Sequence, residues 1–163
     1  MVKFSMRRLL ANRSGNFMIE FAIVLPVLFM LVAGLLDLGR FGWQKSATLQ
    51  GAREGAQYGT LAGQVTGGFP LSSADSAAVN TTAQNASGIS GVTATNTGFC
   101  ECTAGTAVSC TSTCAGNTSP KKYLTVTTTA PFTSVLSVAT LHFAFGSWTP
   151  PTSMTSSITL MVP

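Results

Sequence analysis

The feature that most constrains this chain is an unbroken apolar run near its N-terminus. Residues 17–36 read FMIEFAIVLPVLFMLVAGLL and contain a single charged residue, Glu20. As a helix with about 1.5 Å rise per residue, such a run spans about 30 Å, the thickness of the hydrocarbon core of a bilayer. A cleaved secretory signal has a shorter apolar core of about 7–15 residues. The run therefore predicts one membrane-spanning helix, which Pro26 is expected to kink.

The charged residues predict the orientation of this helix. Four of the nine Lys and Arg residues precede Gly15, and the positive-inside rule places their side of the membrane in the cytoplasm. The residues from about Asp37 onward then face the periplasm or the exterior. The other five basic residues balance the five acidic ones, so this part of the chain has no electrostatic basis for binding nucleic acid. The four leading basic residues are Lys3, Arg7, Arg8 and Arg13.

Glu20 is anomalous because a carboxylate inside hydrocarbon is costly unless it is paired. A cut after Gly15 would give Asn16 a free α-amino group, four residues from Glu20 and on the same helix face. An ammonium and a carboxylate attract strongly at low dielectric, either within one chain or between neighbouring subunits. Gly15 and Asn16 are therefore the candidate processing site, and Glu20 is the candidate assembly residue. The alternative is that Glu20 lies shallow enough to reach the headgroups and has no role.

Beyond the span, the helical pattern continues to about Ala62 and carries glycines four residues apart. Glycine costs up to about 1 kcal/mol in a helix interior, so its repetition needs a reason. Small residues at this spacing let another helix backbone approach closely. Gly51, Gly55 and Gly59 share one narrow face, and we expect them to form a helix-packing surface. The alternative is a frayed, loop-like stretch.

Four cysteines, Cys100, Cys102, Cys110 and Cys114, lie within fifteen residues. An even, clustered count beyond a membrane span predicts disulfides formed in an oxidising compartment. Three pairings are open, and a Cys100–Cys102 bond is the least favourable because one intervening residue strains its geometry. The alternative is a metal site, for which no supporting histidine lies nearby, and we expect no metal.

Alternating β-branched and aromatic residues predict strands in the C-terminal part. Residues 89–97, 122–129 and 156–162 predict a three-stranded antiparallel sheet, and residues 72–86 predict a short helix. The core of such a domain is thin, a condition in which disulfides stabilise most. The apolar stretch 131–148 is too short and interrupted for a second span. We expect it to pack under the sheet or to meet the membrane or a partner.

The predicted fold class is α+β, with a long N-terminal transmembrane helix that extends into a small antiparallel β-sheet domain with a disulfide-bonded loop. The predicted parts are a basic leader at 1–15, a long helix at 16–62 that spans the membrane at about 17–36, and an extracytoplasmic domain at 63–163 with a cysteine loop at 99–119.

Catalysis finds little support in the sequence. His142 is the only histidine, and no acidic residue lies near it along the chain. No phosphate-binding loop or nucleophile motif occurs. We therefore expect neither enzymatic activity nor a cofactor.

Several motifs in order resemble those of one family. Residues 13–21, RSGNFMIEF, are similar to a type IV prepilin processing site, where a glutamate and an aromatic residue follow the glycine at a fixed spacing. The continuation has VLPVL at 24–28, DLGR at 37–40 and AREGA at 52–56. It resembles the TadE-like branch of the tight-adherence (Flp) pilus family over about residues 13–62. The cysteine segment 99–120 looks like an insertion particular to this chain.

The resemblance implies that a prepilin peptidase cuts between Gly15 and Asn16, and that the mature chain is a minor pilin or pseudopilin that supports pilus assembly. The implied partners are that peptidase, other pilin-like subunits, the tight-adherence secretion machinery and the bacterial inner membrane. The implied location is the inner membrane with the C-terminal domain in the periplasm, or else the pilus outside the cell. Two alternatives stay open, an uncleaved anchored domain that binds an extracytoplasmic ligand and a type II secretion pseudopilin.

Overall fold

The computed structural model describes residues 14–65, 68–134, 141–143, 146–149 and 151–163. The basic leader up to Arg13, and with it the residues that predict orientation, lies outside the described residues. Within the described ranges the chain forms helices and strands in a fixed order. They are α1 Ser14–Val65, α2 Ser73–Ser87, β1 Thr93–Thr103, β2 Thr106–Val108, β3 Lys121–Pro131, β4 Leu141–Phe143, β5 Gly146–Trp148 and β6 Ser153–Val162.

Helix α1 is long, with 52 residues and Pro26 inside it. It ends at Val65, three residues beyond the predicted end. The chain divides after Gly39 into two compact units, so that α1 contributes residues to both of them. The first unit has an exposed apolar surface, and the second, from Arg40 onward, has a packed core.

Helix α2 begins and ends where local capping groups dictate. The Ser72 hydroxyl oxygen accepts a hydrogen bond from the Asp75 backbone N–H at 3.1 Å and donates to the Asp75 carboxylate at 2.7 Å. These bonds satisfy helix-start groups that otherwise have no partner. At the other end Gly88 has φ 62°, and its N–H donates to the Asn85 carbonyl at 3.2 Å. The predicted short helix is therefore present at Ser73–Ser87.

The main sheet is antiparallel and has four strands in the order β2-β1-β3-β6. Strand β3 is central, with Thr125 opposite Thr97 of β1 on one side and Thr159 of β6 on the other. The predicted three strands correspond to β1, β3 and β6, which confirms the α+β prediction with its antiparallel sheet. The prediction missed β2, because three residues are too few to show an alternating pattern. This strand pairs with the end of β1 across a turn in which Gly105 has φ 83°.

The core of the second unit joins α1, α2 and the inner face of the sheet. Ala56 of α1, Val79 and Ala83 of α2, and Leu124 and Val126 of β3 are all fully buried in one cluster. Small side chains dominate this cluster, so the helix backbones and the sheet lie close together. The cluster also includes Ala94 and Val162, with Phe69, Leu71, Ile158 and Leu160 partly buried against it.

The apolar stretch that the sequence places at 131–148 is described only in part. Strands β4 and β5 form a separate two-stranded antiparallel sheet, in which Leu141 lies opposite Trp148. Phe132 is buried, and its ring meets that of Phe41 edge-on with centroids 5.6 Å apart. We predicted that this stretch packs under the sheet or meets the membrane or a partner. For most of the stretch, that prediction concerns side chains outside the described residues.

Candidate functional site

The N-terminal part of α1, up to Gly39, exposes apolar side chains on all sides. Every Phe, Met, Ile, Leu and Val between Phe17 and Leu38 is exposed, and Phe17 and Phe29 reach 73% and 72% exposure. A helix with this surface needs lipid or other apolar helices around it. Among the described residues, one helix is long and apolar enough to cross a membrane, and it falls within Phe17–Gln64. This helix is a candidate membrane span near the N-terminus, consistent with membrane anchoring.

The predicted processing and assembly residues fall in the first turns of this helix. Gly15 and Asn16 follow Ser14, where α1 begins. Glu20 is exposed between the exposed apolar residues Ile19 and Phe21. The four-residue separation of Asn16 and Glu20 places both positions on one helix face.

The predicted glycine face lies in the second unit, buried against α2 and β3. A Cβ atom placed on Gly51 would lie 2.5 Å from the Ala83 carbonyl oxygen. One placed on Gly55 would lie 2.7 Å from the Ala83 Cβ, whereas ordinary contacts are 3.4–4 Å. A Cβ on Gly59 would overlap the Leu124 side chain. The three glycines therefore share one buried face, and the helix that approaches them is α2 of the same chain.

Buried hydroxyl groups also join α1 to the sheet, and sequence reasoning missed this contact. Thr48 is fully buried, and its Oγ1 donates to the Lys45 carbonyl at 2.9 Å and lies 2.9 Å from Ser156 Oγ. The Thr128 hydroxyl donates to the Thr48 carbonyl at 2.7 Å. The Lys45 ammonium donates to the Thr155 carbonyl nearby. The sequence did contain a sign of this contact: Thr48 lies one turn before Gly51, so it falls on the same helix face as the buried glycines.

The four cysteines form two disulfides, Cys100–Cys110 and Cys102–Cys114, with Cα atoms 5.1 and 5.4 Å apart. The bonds tie the end of β1 to the segment that follows β2. Cys100 is fully buried, whereas Cys102, near the end of β1, is exposed. The segment is closed further by a backbone bond from the Cys114 N–H to the Thr118 carbonyl at 2.9 Å. The predicted disulfide-bonded loop is thus present, with its pairing now assigned.

Among the described residues, no three His, Cys, Asp or Glu side chains are grouped so as to hold a metal ion. The backbone of His142 lies in β4, and its side chain lies outside what the structure describes.

Comparison with known proteins gives a match for the N-terminal segment. Residues 15–57 match the family model described as TadE-like protein, which covers about a quarter of the chain. No curated protein and no solved structure matches the chain. The matched segment begins at Gly15, contains Glu20 and the apolar run, and ends just beyond Gly55. The resemblance to the TadE-like family is thereby confirmed for residues 15–57.

Proposed function

We propose that this chain is a minor pilin- or pseudopilin-like subunit that supports assembly of a tight-adherence (Flp-type) pilus and is matured by a prepilin peptidase. The observation that carries the proposal is the TadE-like match over residues 15–57, which starts at the candidate cleavage glycine. Within the matched segment, Glu20 is the fifth residue after the cut and is exposed among apolar side chains. A plain anchor has no use for a carboxylate at that position.

Cleavage would convert the N-terminal helix from an anchor into an assembly surface. Removal of residues 1–15 takes away the basic leader and leaves a free ammonium at Asn16. In hydrocarbon, that ammonium and the Glu20 carboxylate of the same or a neighbouring subunit each remove the desolvation cost of the other. The exposed apolar side chains from Phe17 to Leu38 would then pack against the corresponding helices of other subunits. The charge pair fixes the register, and the apolar surface supplies the contact area.

The two disulfides support placing the second unit outside the cytoplasm. Disulfides persist in the periplasm and on the cell surface and are rare in the cytosol. The Cys100–Cys110 and Cys102–Cys114 bonds therefore agree with the orientation that the leader charges predict. In the proposed topology the helix crosses the inner membrane once, and the residues beyond it fold in the periplasm.

The first test is the N-terminus of the mature protein. Coexpression of the full chain with its prepilin peptidase, followed by intact-mass measurement, is expected to show a chain that starts at Asn16. Gly15→Val should block the cut, because a branched side chain replaces the smallest residue next to the bond to be hydrolysed. Gly42→Ala is the matched control, since a Cβ there meets nothing within 4 Å. A mature protein that starts at Met1 or Met6 would contradict the proposal.

The second test separates assembly from membrane insertion. Glu20→Ala is expected to abolish co-purification with pilus components while the protein still fractionates with the inner membrane. The reason is that alanine removes the charge that pairs with the N-terminus and leaves the span more apolar. Glu54→Ala is the control, because Glu54 is an exposed carboxylate on the same helix outside the apolar run. Unchanged co-purification of the Glu20 variant would remove the role given to this residue.

A further inference from the structure

The chain between β3 and β6 leaves the main sheet and returns to it at one point. Pro131, the last residue of β3, lies opposite Ser153, the first residue of β6. The next residue, Phe132, donates its backbone N–H to the Thr152 carbonyl at 2.9 Å. Residues 133–151 are therefore an excursion from the main sheet, and the hairpin formed by β4 and β5 lies within it. We call these residues the β4–β5 segment.

The point where this segment departs lies beside the beginning of the second unit. The buried Phe132 ring meets the ring of Phe41 edge-on, and the Lys45 ammonium donates to the Thr155 carbonyl close to the return point. Phe41 is the second residue of the second unit and follows Leu38, the end of the exposed apolar surface, by three residues. Both ends of the segment are thus held by the part of α1 that comes directly after the candidate span.

The strand register gives the hairpin one apolar face and one polar face. Directly opposed residues of two paired strands share a face, and successive residues alternate between faces. Leu141 lies opposite Trp148, and Phe143 is two positions along the same strand, so these three residues share one face. His142 and Ser147 are opposed to each other and share the other face. The hairpin is therefore amphipathic.

A hairpin of this kind needs an apolar surface to lie against, because two isolated strands are at best marginally stable in water. Within the described ranges, β4 and β5 pair only with each other. The inner face of the main sheet already packs against both helices through Leu124 and Val126. Its outer face carries hydroxyl groups at Thr125 and Thr127. The membrane next to the start of the second unit is an apolar surface that the chain's own span supplies.

We propose that the β4–β5 segment lies on the membrane, with the apolar face of its hairpin in the headgroup region of the leaflet from which α1 emerges. Tryptophan favours this layer because it combines an apolar ring with a polar N–H. Trp43, which is 64% exposed and lies two residues beyond Phe41, would occupy the same layer. Residues 124–163 contain no Lys, Arg, Asp or Glu, so the contact needs no anionic lipid. The proposal rests on the candidate span and not on the pilus function.

The test uses the two tryptophans of the chain, Trp43 and Trp148, as depth probes. The full-length Trp43→Phe variant, which leaves Trp148 as the only tryptophan, is placed in phosphatidylcholine nanodiscs with a tryptophan-free scaffold protein. One chain per disc ensures that no second copy can cover the hairpin. Lipid brominated near the headgroup end of its acyl chains should quench Trp148 fluorescence at least twofold. Lipid brominated near the chain ends should quench it less, because the hairpin is expected to lie in the interface.

A control tryptophan shows that the lipid quenching is specific. In the variant Trp43→Phe/Trp148→Phe/Tyr58→Trp, the probe lies fifteen residues beyond position 43, about 22 Å further along the helix. Tyr58 is 42% exposed, so this tryptophan should respond to acrylamide in the water and not to brominated lipid. The proposal is overturned if Trp148 responds only to acrylamide, which would place the segment in water. It is equally overturned if neither quencher acts on Trp148, which would bury the segment inside the second unit.

A matched pair of charge substitutions tests the two faces of the hairpin. In the Trp43→Phe background, Phe143→Asp should remove most of the lipid quenching of Trp148, because a carboxylate on the apolar face opposes contact with lipid. His142→Asp adds the same group on the opposite face and should retain the quenching. The Tm of the second unit should stay unchanged in both variants. Equal losses of quenching, or unfolding of the second unit by Phe143→Asp, would overturn the proposal, since the segment would then belong to the protein core.

Discussion

Replacing Gly55 with alanine tests whether the glycine face of α1 is a packing surface. Gly55 is buried, and an added Cβ would lie 2.7 Å from the Ala83 Cβ, 3.2 Å from the Val79 carbonyl oxygen and 3.3 Å from Val126 Cγ1. Neither the Ala83 Cβ nor a backbone carbonyl can rotate away. The substitution therefore forces α2 to move outward from α1.

The expected magnitude follows from two opposing terms. Alanine is favoured over glycine in a helix interior by about 1 kcal/mol. Overpacking of a tight core costs about 1–3 kcal/mol, and contacts on three sides place Gly55 towards the upper end of that range. The net effect is a loss of about 1–2 kcal/mol in the free energy of unfolding. For a unit of this size, Tm should fall by roughly 4–8 °C.

The assay is thermal unfolding of the full chain in nanodiscs, followed by the loss of β-sheet circular dichroism. Gly42→Ala is the matched control, since Gly42 lies on the same helix, is exposed and would have nothing within 4 Å of its Cβ. In Gly42→Ala only the higher helix propensity of alanine acts, so Tm should rise by a few degrees. If Gly55→Ala raises Tm as Gly42→Ala does, then α2 does not pack closely against α1 at Gly55.

Two further predictions concern the other contacts that hold the second unit together. Thr48→Val should lower the free energy of unfolding by about 1–3 kcal/mol in urea titration, because it removes a buried hydroxyl and leaves its partner unsatisfied. Under graded reduction with thiol labelling and peptide mapping, the Cys102–Cys114 bond should open before Cys100–Cys110, because Cys102 is exposed and Cys100 is fully buried.

For each of these two predictions, one experimental result would contradict it. Thr81→Val is the control for the hydroxyl experiment, because Thr81 is an exposed helical threonine whose hydroxyl donates to the Ala77 carbonyl of its own helix. Equal losses for the buried and exposed threonines would mean that the contact between Thr48 and Ser156 contributes nothing. Labelling of Cys100 before Cys102 would show that burial does not govern access to the two disulfides.

The parts of the fold that sequence predicted are those with a strong local signal. The apolar run predicts α1 because its length matches a bilayer, and alternation predicts β3, where Leu124 and Val126 face the core and Thr125 faces out. Spacing also singled out the glycine face, because Gly51, Gly55 and Gly59 recur at a helical interval. In each case neighbouring residues alone carry the information.

The other features of the fold depend on which residues far apart in the chain come into contact. No local sequence pattern indicates these contacts. Spacing predicts that something approaches the glycine face, but it does not identify α2. Thr48, Thr128 and Ser156 look like surface residues one at a time, and their burial follows only from the register of β6 on β3 and the position of α1 above it. The cysteine pairs stayed open because spacing alone allows three sets.

The assigned cysteine pairing determines how this protein can be made. Cys110 bonds to Cys100 although Cys102 and Cys114 are both nearer to it along the chain. Random oxidation of an extended chain favours short loops, and so it would join the wrong thiols. The native bonds require the β1–β2 hairpin to form first or a thiol exchange to correct early errors. Recombinant production therefore belongs in an oxidising compartment that contains a disulfide isomerase, where scrambled molecules are resolved into the native form.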